Sequence, residues 1–217
     1  TADSTKYLYY KGPGSTNYRI VYIQEPGSGA GGVAAGVNRG GAAYTDIYLQ
    51  KDSLLTTNSW QFLAVTMDPA SGNTTQKIYY GSLTTTVAEV TGYASQAAGS
   101  GSTGSDASDS AFLGNHGVNL DANFPGRIGF FAVYNRVLST GEIVSLQYRP
   151  RKLSGCVLHS WPGGSGTQPD WSGNGNNGTI TGATDAPGVP LGSWFAQFWR
   201  GLGGWFPEWQ DVQEALA

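Results

Sequence analysis

The chain has very little cysteine, histidine or charge, and each shortage removes a class of protein. Cys156 is the one cysteine among 217 residues, so no intrachain disulfide can form. The fold is therefore not a disulfide-stapled scaffold, and Cys156 reads as a small buried hydrophobe. His116 and His159 are the two histidines, and neither lies in a ligand-spaced cluster. A zinc site or a Ser-His-Asp arrangement has little to be built from. Only 12% of residues are charged, the formal charge is −3, and the 12 basic residues are scattered. No basic stripe is available to track phosphates, which argues against a nucleic-acid partner. No apolar run has the length of a membrane span, and no signal peptide is legible at the start. A start at Thr1 rather than Met reads as processing or an unseen upstream segment. Acidic residues are also unpaired along strands: none recurs at i and i+2 or i+4, and Asp106 and Asp109 sit in a low-complexity stretch. The two facing carboxylates of a glycosidase are missing, and no catalytic residue is assigned.

What the chain does have is glycine, at 33 residues, and aromatics, at 12%. Aromatic and β-branched runs separated by Gly, Ser, Asn and Pro turns predict an all-β fold. Tyr7 to Tyr10 and Tyr18 to Ile23 read as a hairpin around Gly12-Pro13-Gly14-Ser15. Residues 26–41 are Gly- and Ala-rich, with only Val33 and Val37 as anchors, and read at most as a weak strand. Tyr44 to Leu49, the Trp60 run and the Lys77 run read as further strands, and residues 94–110 as a surface loop. The stretch Gly126-Arg127-Ile128-Gly129-Phe130-Phe131-Ala132-Val133-Tyr134 is apolar on both faces, so it reads as a central strand. Ser139-Thr140-Gly141-Glu142 then forms a capping box that starts a short helix over 140–148. The expected core is Trp60, Phe62, Ala64, Ile78, Tyr80, Phe112, Ile128, Phe130, Val133 and Leu146.

The order Leu113-Gly114-Asn115, Gly126-Arg127-Ile128, Tyr134-Asn135-Arg136-Val137-Leu138-Ser139 and Glu142-Ile143 resembles the end of a laminin G-like domain. Trp60-Gln61-Phe62-Leu63-Ala64-Val65-Thr66 and Lys77-Ile78-Tyr79-Tyr80-Gly81 are similar to the same family's middle. The resemblance spans roughly residues 6–148. It implies a concanavalin A-like jelly-roll β-sandwich of two antiparallel sheets, with a short helix at 140–148. The family's front, an edge strand, a Gly-Asn-Gly turn and a Trp-bearing central strand, is absent before residue 6. A segment like its first portion stands near the other end instead, in Ser160-Trp161-Pro162 and Asp170-Trp171-Ser172-Gly173-Asn174-Gly175-Asn176-Asn177-Gly178-Thr179.

Three regions follow: a sandwich over 1–153, a strand-and-loop segment packing on a sandwich over 154–192, and an aromatic arm over 193–217. A sandwich without its front exposes unpaired backbone. Either residues 156–158 and 179–181 pair with the same chain's sheet, which we favour, or they complete a neighbour's sandwich by strand donation. In the arm, Trp194, Phe195, Phe198, Trp199, Trp205 and Phe206 recur at helical spacing, predict a partly helical arm, and read as partner-binding residues. Asp170, Asn174 and Asn176 supply hard oxygens suited to structural calcium, although an Asx-turn loop satisfied by its own backbone fits the same residues. Gly129 and Phe130 stand where the resemblance implies a calcium-binding Asp. Tyr44, Tyr48 and Trp171 are candidates for stacking on a sugar, with rim packing the plainer reading. The expected function is a non-enzymatic structural or adhesion protein on an extracellular or virion surface. Its partners would be other chains of an assembly, itself a homo-oligomer, and a glycan. A carbohydrate-binding module of a secreted protein is the alternative.

Overall fold

The computed structural model describes residues 5–12, 18–24, 31–37, 47–68, 76–98, 108–116, 122–163 and 166–184. Tyr44 and the whole arm lie outside the described residues. The described chain is a jelly-roll sandwich of antiparallel strands with one short helix. One layer is a six-stranded sheet. It contains β1 (Thr5–Lys11), β2 (Arg19–Gln24), β3 (Gly32–Val37), β4 (Ile47–Lys51), β8 (Ser95–Ala98) and β9 (Ala111–Leu113). Their order across the sheet is β8-β4-β3-β2-β1-β9. The opposite layer comes in two pieces. One is the sheet of β5 (Gln61–Thr66), β6 (Lys77–Ser82) and β7 (Ala88–Glu89). The other is the pair of β10 (Phe131–Tyr134) and β11 (Cys156–Ser160). A ribbon of β12 (Thr167–Gln168) and β13 (Gly178–Thr179) follows.

Alternation on β6 divides the interior into two cores. Ile78 points inward to Val33 and Leu49 of the large sheet, with Val21, Leu63 and Val65 around them. Its neighbour Tyr79 points outward, beneath the helix α1 (Thr140–Tyr148), and packs with Val87, Leu138, Ile143 and Leu146. The three-stranded sheet is thus covered on both faces, which is why β5 and β6 carry apolar residues at consecutive positions. Tyr9 of β1 meets Phe131 of β10 with ring centroids 5.4 Å apart, which seats the β10–β11 pair across from β1.

The corner before α1 explains the Asn-Arg-x-Leu-Ser motif. Ser139 is the N-cap, its Oγ accepts from the Glu142 N–H, and Glu142 accepts from the Ser139 N–H at 2.9 Å. Arg136 grips the same carboxylate with both terminal nitrogens, at 2.9 and 2.5 Å, and donates its Nε to the Ser154 carbonyl. The Arg136 guanidinium and the Ser139 donors hold the Glu142 carboxyl at about 2. At the helix's other end, Gln147 is buried, accepts from the Val87 N–H at 2.6 Å and donates to the Ser82 and Thr85 carbonyls.

Several expectations change. Residues 32–37 form no weak strand but a fully buried one in the middle of the large sheet. All six of its residues, Gly32-Val33-Ala34-Ala35-Gly36-Val37, are buried, so both faces of the strand are covered. The stretch at 94–110 contains β8, which pairs with β4. The strand expected over 126–134 is regular only from Phe131, and among the described residues it pairs with β11. Cys156–Ser160 does pair with its own chain, His159 opposite Ala132, whereas Gly178–Thr179 pairs with Thr167–Gln168 instead of joining the sandwich.

A candidate site: the Asp170 loop on the last strand

The loop after β12 folds over β11 because its short polar side chains replace backbone partners. Asp170 is the hub. Its Oδ1 accepts from the His159 N–H at 3.1 Å and the Ser172 N–H at 2.8 Å. Its Oδ2 accepts from the Ser172 hydroxyl at 2.7 Å and the Asn176 N–H at 3.0 Å. The Ser172 Oγ also lies 2.9 Å from the Val157 carbonyl. One hydroxyl proton serves a single strong bond, and the carboxylate is the stronger acceptor. Asn177 accepts from the Asp170 N–H at 2.9 Å, closing the loop.

Asn174 and Asn176 tie this loop to the strand. The Asn174 amide donates to the Cys156 and Val157 carbonyls at 2.9 and 3.1 Å, and the Asn176 amide to Val157 at 2.9 Å. These carbonyls belong to the edge of β11 that β10 does not occupy. The motif's Asp-x-Ser-x-Asn-x-Asn spacing therefore has a local cause: it places four polar side chains on one strand edge. Burial pushes the Asp170 carboxyl up, but the Ser172, His159 and Asn176 donors outweigh it and hold the group at about 2.

The structure brings the three calcium candidates, Asp170, Asn174 and Asn176, together. Both Asp170 oxygens already take two protein donors each, and both asparagines turn their nitrogens toward β11. Calcium would have to compete with those donors for the same carboxylate. Trp171 is 63% exposed, and its backbone N–H donates to the His159 carbonyl at 2.8 Å. Tyr48 sits in β4 of the large sheet, away from the sheet that carries the loop, and only its backbone is described.

His159 was singled out in the sequence only for its isolation. It is buried, both ring nitrogens lack a hydrogen-bond partner among the described residues, and its ring stands edge-on to Phe130 at 5.3 Å. Burial holds its pKa below the ordinary histidine value. Ser172 and Asn177 are further members of the site, and their places in the Asp-x-Ser and Asn-Gly-Thr turns are the signal that could have found them. Cys156 is likewise buried, with its thiol pushed up by burial and by the Asp170 charge.

Compared with known families, residues 1–144 match the laminin G-like family of the concanavalin A-like lectin/glucanases superfamily. The match covers about two thirds of the chain, and the chain belongs to this family. No curated protein and no solved structure matches it. Domains of this family are generally binding rather than catalytic, and typically extracellular. No helix among the described residues is long and apolar enough to cross a membrane.

Proposed function

We propose that this chain is a non-enzymatic adhesion module of an extracellular surface, working as a virion component such as a capsid decoration, head fibre or tail protein. The observation that carries the adhesion reading is Trp171. A single exposed hydrophobic is ordinary on a protein surface. Trp171 differs because the residues on either side of it, Asp170 and Ser172, are both bonded into the hub on β11. Its ring is thus presented to solvent from a preorganised backbone, so little ordering entropy remains to be lost on contact. Its indole offers a broad apolar face and one N–H donor, chemistry that suits a protein epitope or the apolar face of a sugar ring. The virion setting is a fold-level analogy supported by the disulfide-free, low-charge composition and the aromatic arm.

The same tryptophan favours a second reading, a carbohydrate-binding module of a secreted protein. Trp171→Ala separates function from stability. It should leave the melting temperature unchanged, because an exposed side chain stabilises little, and cut binding to cell-envelope preparations about tenfold or more. Running the pair of proteins on a glycan array assigns the ligand: saturable sugar binding lost in Trp171→Ala supports the carbohydrate module. Binding that is indifferent to Trp171 on both surfaces would overturn both readings.

A further inference from the structure

Residues 149–184 carry a charge pattern opposite to that of the whole chain. Arg149, Arg151 and Lys152 fall within four positions and Asp170 is the one acidic residue in this stretch, whereas the formal charge of the chain is −3. All three basic residues are exposed. None of their side chains has an ion-pair or hydrogen-bond partner among the described residues. Unpaired like charges this close repel one another and gain from a shared anion. The carboxylates of α1 and of the loop are already taken: Glu142 is paired with Arg136, and both Asp170 oxygens face protein donors. The backbone that presents the charges is tied down. The Arg151 carbonyl accepts from the Tyr134 hydroxyl at 3.2 Å, and Leu153 packs against the core under α1. The Lys152 ammonium lies against the Asp170 loop, since a Cβ on Gly173 would stand 3.4 Å from its Nζ. Gly173 is two residues from Trp171. The loop runs along β11, from the His159 carbonyl that accepts from the Trp171 backbone to the Val157 carbonyl that accepts from Asn176. Those two strand residues are about 7 Å apart, so aromatic and cation are carried on one short stretch of surface. The Trp171 indole has no ring or cation partner among the described residues, whereas the Trp161 ring packs on Phe130 at 5.1 Å.

We infer that Trp171, Lys152 and Arg151 form a binding surface for an acidic saccharide, one that carries a carboxylate or a sulfate. This rests on the reading of Trp171 as the adhesive residue and adds the charge that its ligand must carry. An indole takes the apolar face of a sugar ring but discriminates little among sugars. Lys152 and Arg151 supply the discrimination. They take an acidic substituent through charge-assisted hydrogen bonds, and the Arg151 guanidinium can grip two oxygens at once. A neutral sugar leaves both cations without an anion. Three cations are too few to follow a polyphosphate backbone, so the surface suits isolated acidic groups rather than nucleic acid. It lies beyond the residues 1–144 shared with the laminin G-like family, and so belongs to this chain's own later segment.

The test uses the intact chain on immobilised oligosaccharides bearing uronic acid, sialic acid or sulfate esters, with neutral oligosaccharides beside them. Acidic sugars should bind about tenfold more tightly than neutral ones, and the advantage should shrink as salt is raised. Arg151→Gln with Lys152→Gln should remove that advantage and leave neutral binding and the melting temperature unchanged, because both side chains are exposed. Trp171→Ala should weaken acidic and neutral binding together. Lys77→Gln, which removes a cation from β6, should change neither. Comparing the carboxylated with the sulfated arm identifies the anion. Acidic and neutral sugars bound alike, or a double variant that binds as the native chain does, overturns the inference and leaves the Trp171 reading standing. So does Trp171-dependent adhesion to cell-envelope preparations with no saccharide bound. Binding indifferent to Trp171 throughout overturns both.

Discussion

Replacing Asp170 by Asn keeps the side chain's shape and removes the charge that four donors converge on. The native carboxyl titrates at about 2, against 3.8 for the ordinary group. A shift of that size corresponds to at most about 2.4 kcal/mol at neutral pH. The site is partly open to solvent, and screening reduces this to about 1 kcal/mol. The amide group of Asn also faces donors that need an acceptor, which adds about 1–2 kcal/mol of unmet hydrogen bonding. The expected total is about 2–3 kcal/mol, a fall in melting temperature of about 5 °C for a chain of 217 residues. The sign with pH follows from the depressed value. The contribution of the charge is full above 3.8 and disappears as pH falls through about 2. Thermal melts followed by circular dichroism from pH 7 to pH 2 should therefore show the two proteins converging at the acid end. A gap smaller than about 1 °C at pH 7, or one that persists undiminished at pH 2, would refute the hub argument.

If the loop takes calcium, chelator should lower the native melt and leave Asp170→Asn unmoved; identical native melts with chelator and with saturating calcium retire that reading. His159→Leu should stabilise the protein and flatten the loss of stability that begins as pH falls below about 6.5, because a buried imidazole with a depressed pKa resists protonation; an unchanged slope in acid melts contradicts it. Gln147→Ala strands the Val87 N–H and two carbonyls, and should cost about 3 kcal/mol in urea unfolding; a cost under about 1 kcal/mol would show that water replaces the side chain. Gly81→Ala should also destabilise, by about 1–3 kcal/mol in the same assay, since its Cβ would lie 2.8 Å from the Val87 backbone.

Local chemistry was legible without coordinates. The Ser139 capping box needs only four adjacent residues, and the helix begins where it says. The hairpins of β1 with β2 and β5 with β6 follow from alternating apolar runs around turn residues. The family's Arg136 and Glu142 are six residues apart, and their ion pair closes within one corner. The Asp170 loop was legible as a cluster of oxygen-bearing side chains, since its turns are also local.

What the tertiary structure decided involves partners distant in the sequence. Gly32-Val33-Ala34-Ala35-Gly36-Val37 looks like a poor strand because its residues are small, yet it lies between β2 and β4 with every residue buried. The Asp170 loop gains its position from the Val157 carbonyl, which only the pairing of β11 with β10 fixes in place. His159 is buried because that pairing turns its ring against Phe130, a contact that no periodicity encodes. The groove that β5 and β10 both line is the clearest case. Each strand's composition says that it should be covered on both faces. Only the folded arrangement shows that both strands line one groove, with β5 paired to β6 and β10 to β11 among the described residues. Sequence fixes local conformation through bonds a few residues long, whereas which edges remain unpaired depends on the closure of every sheet at once.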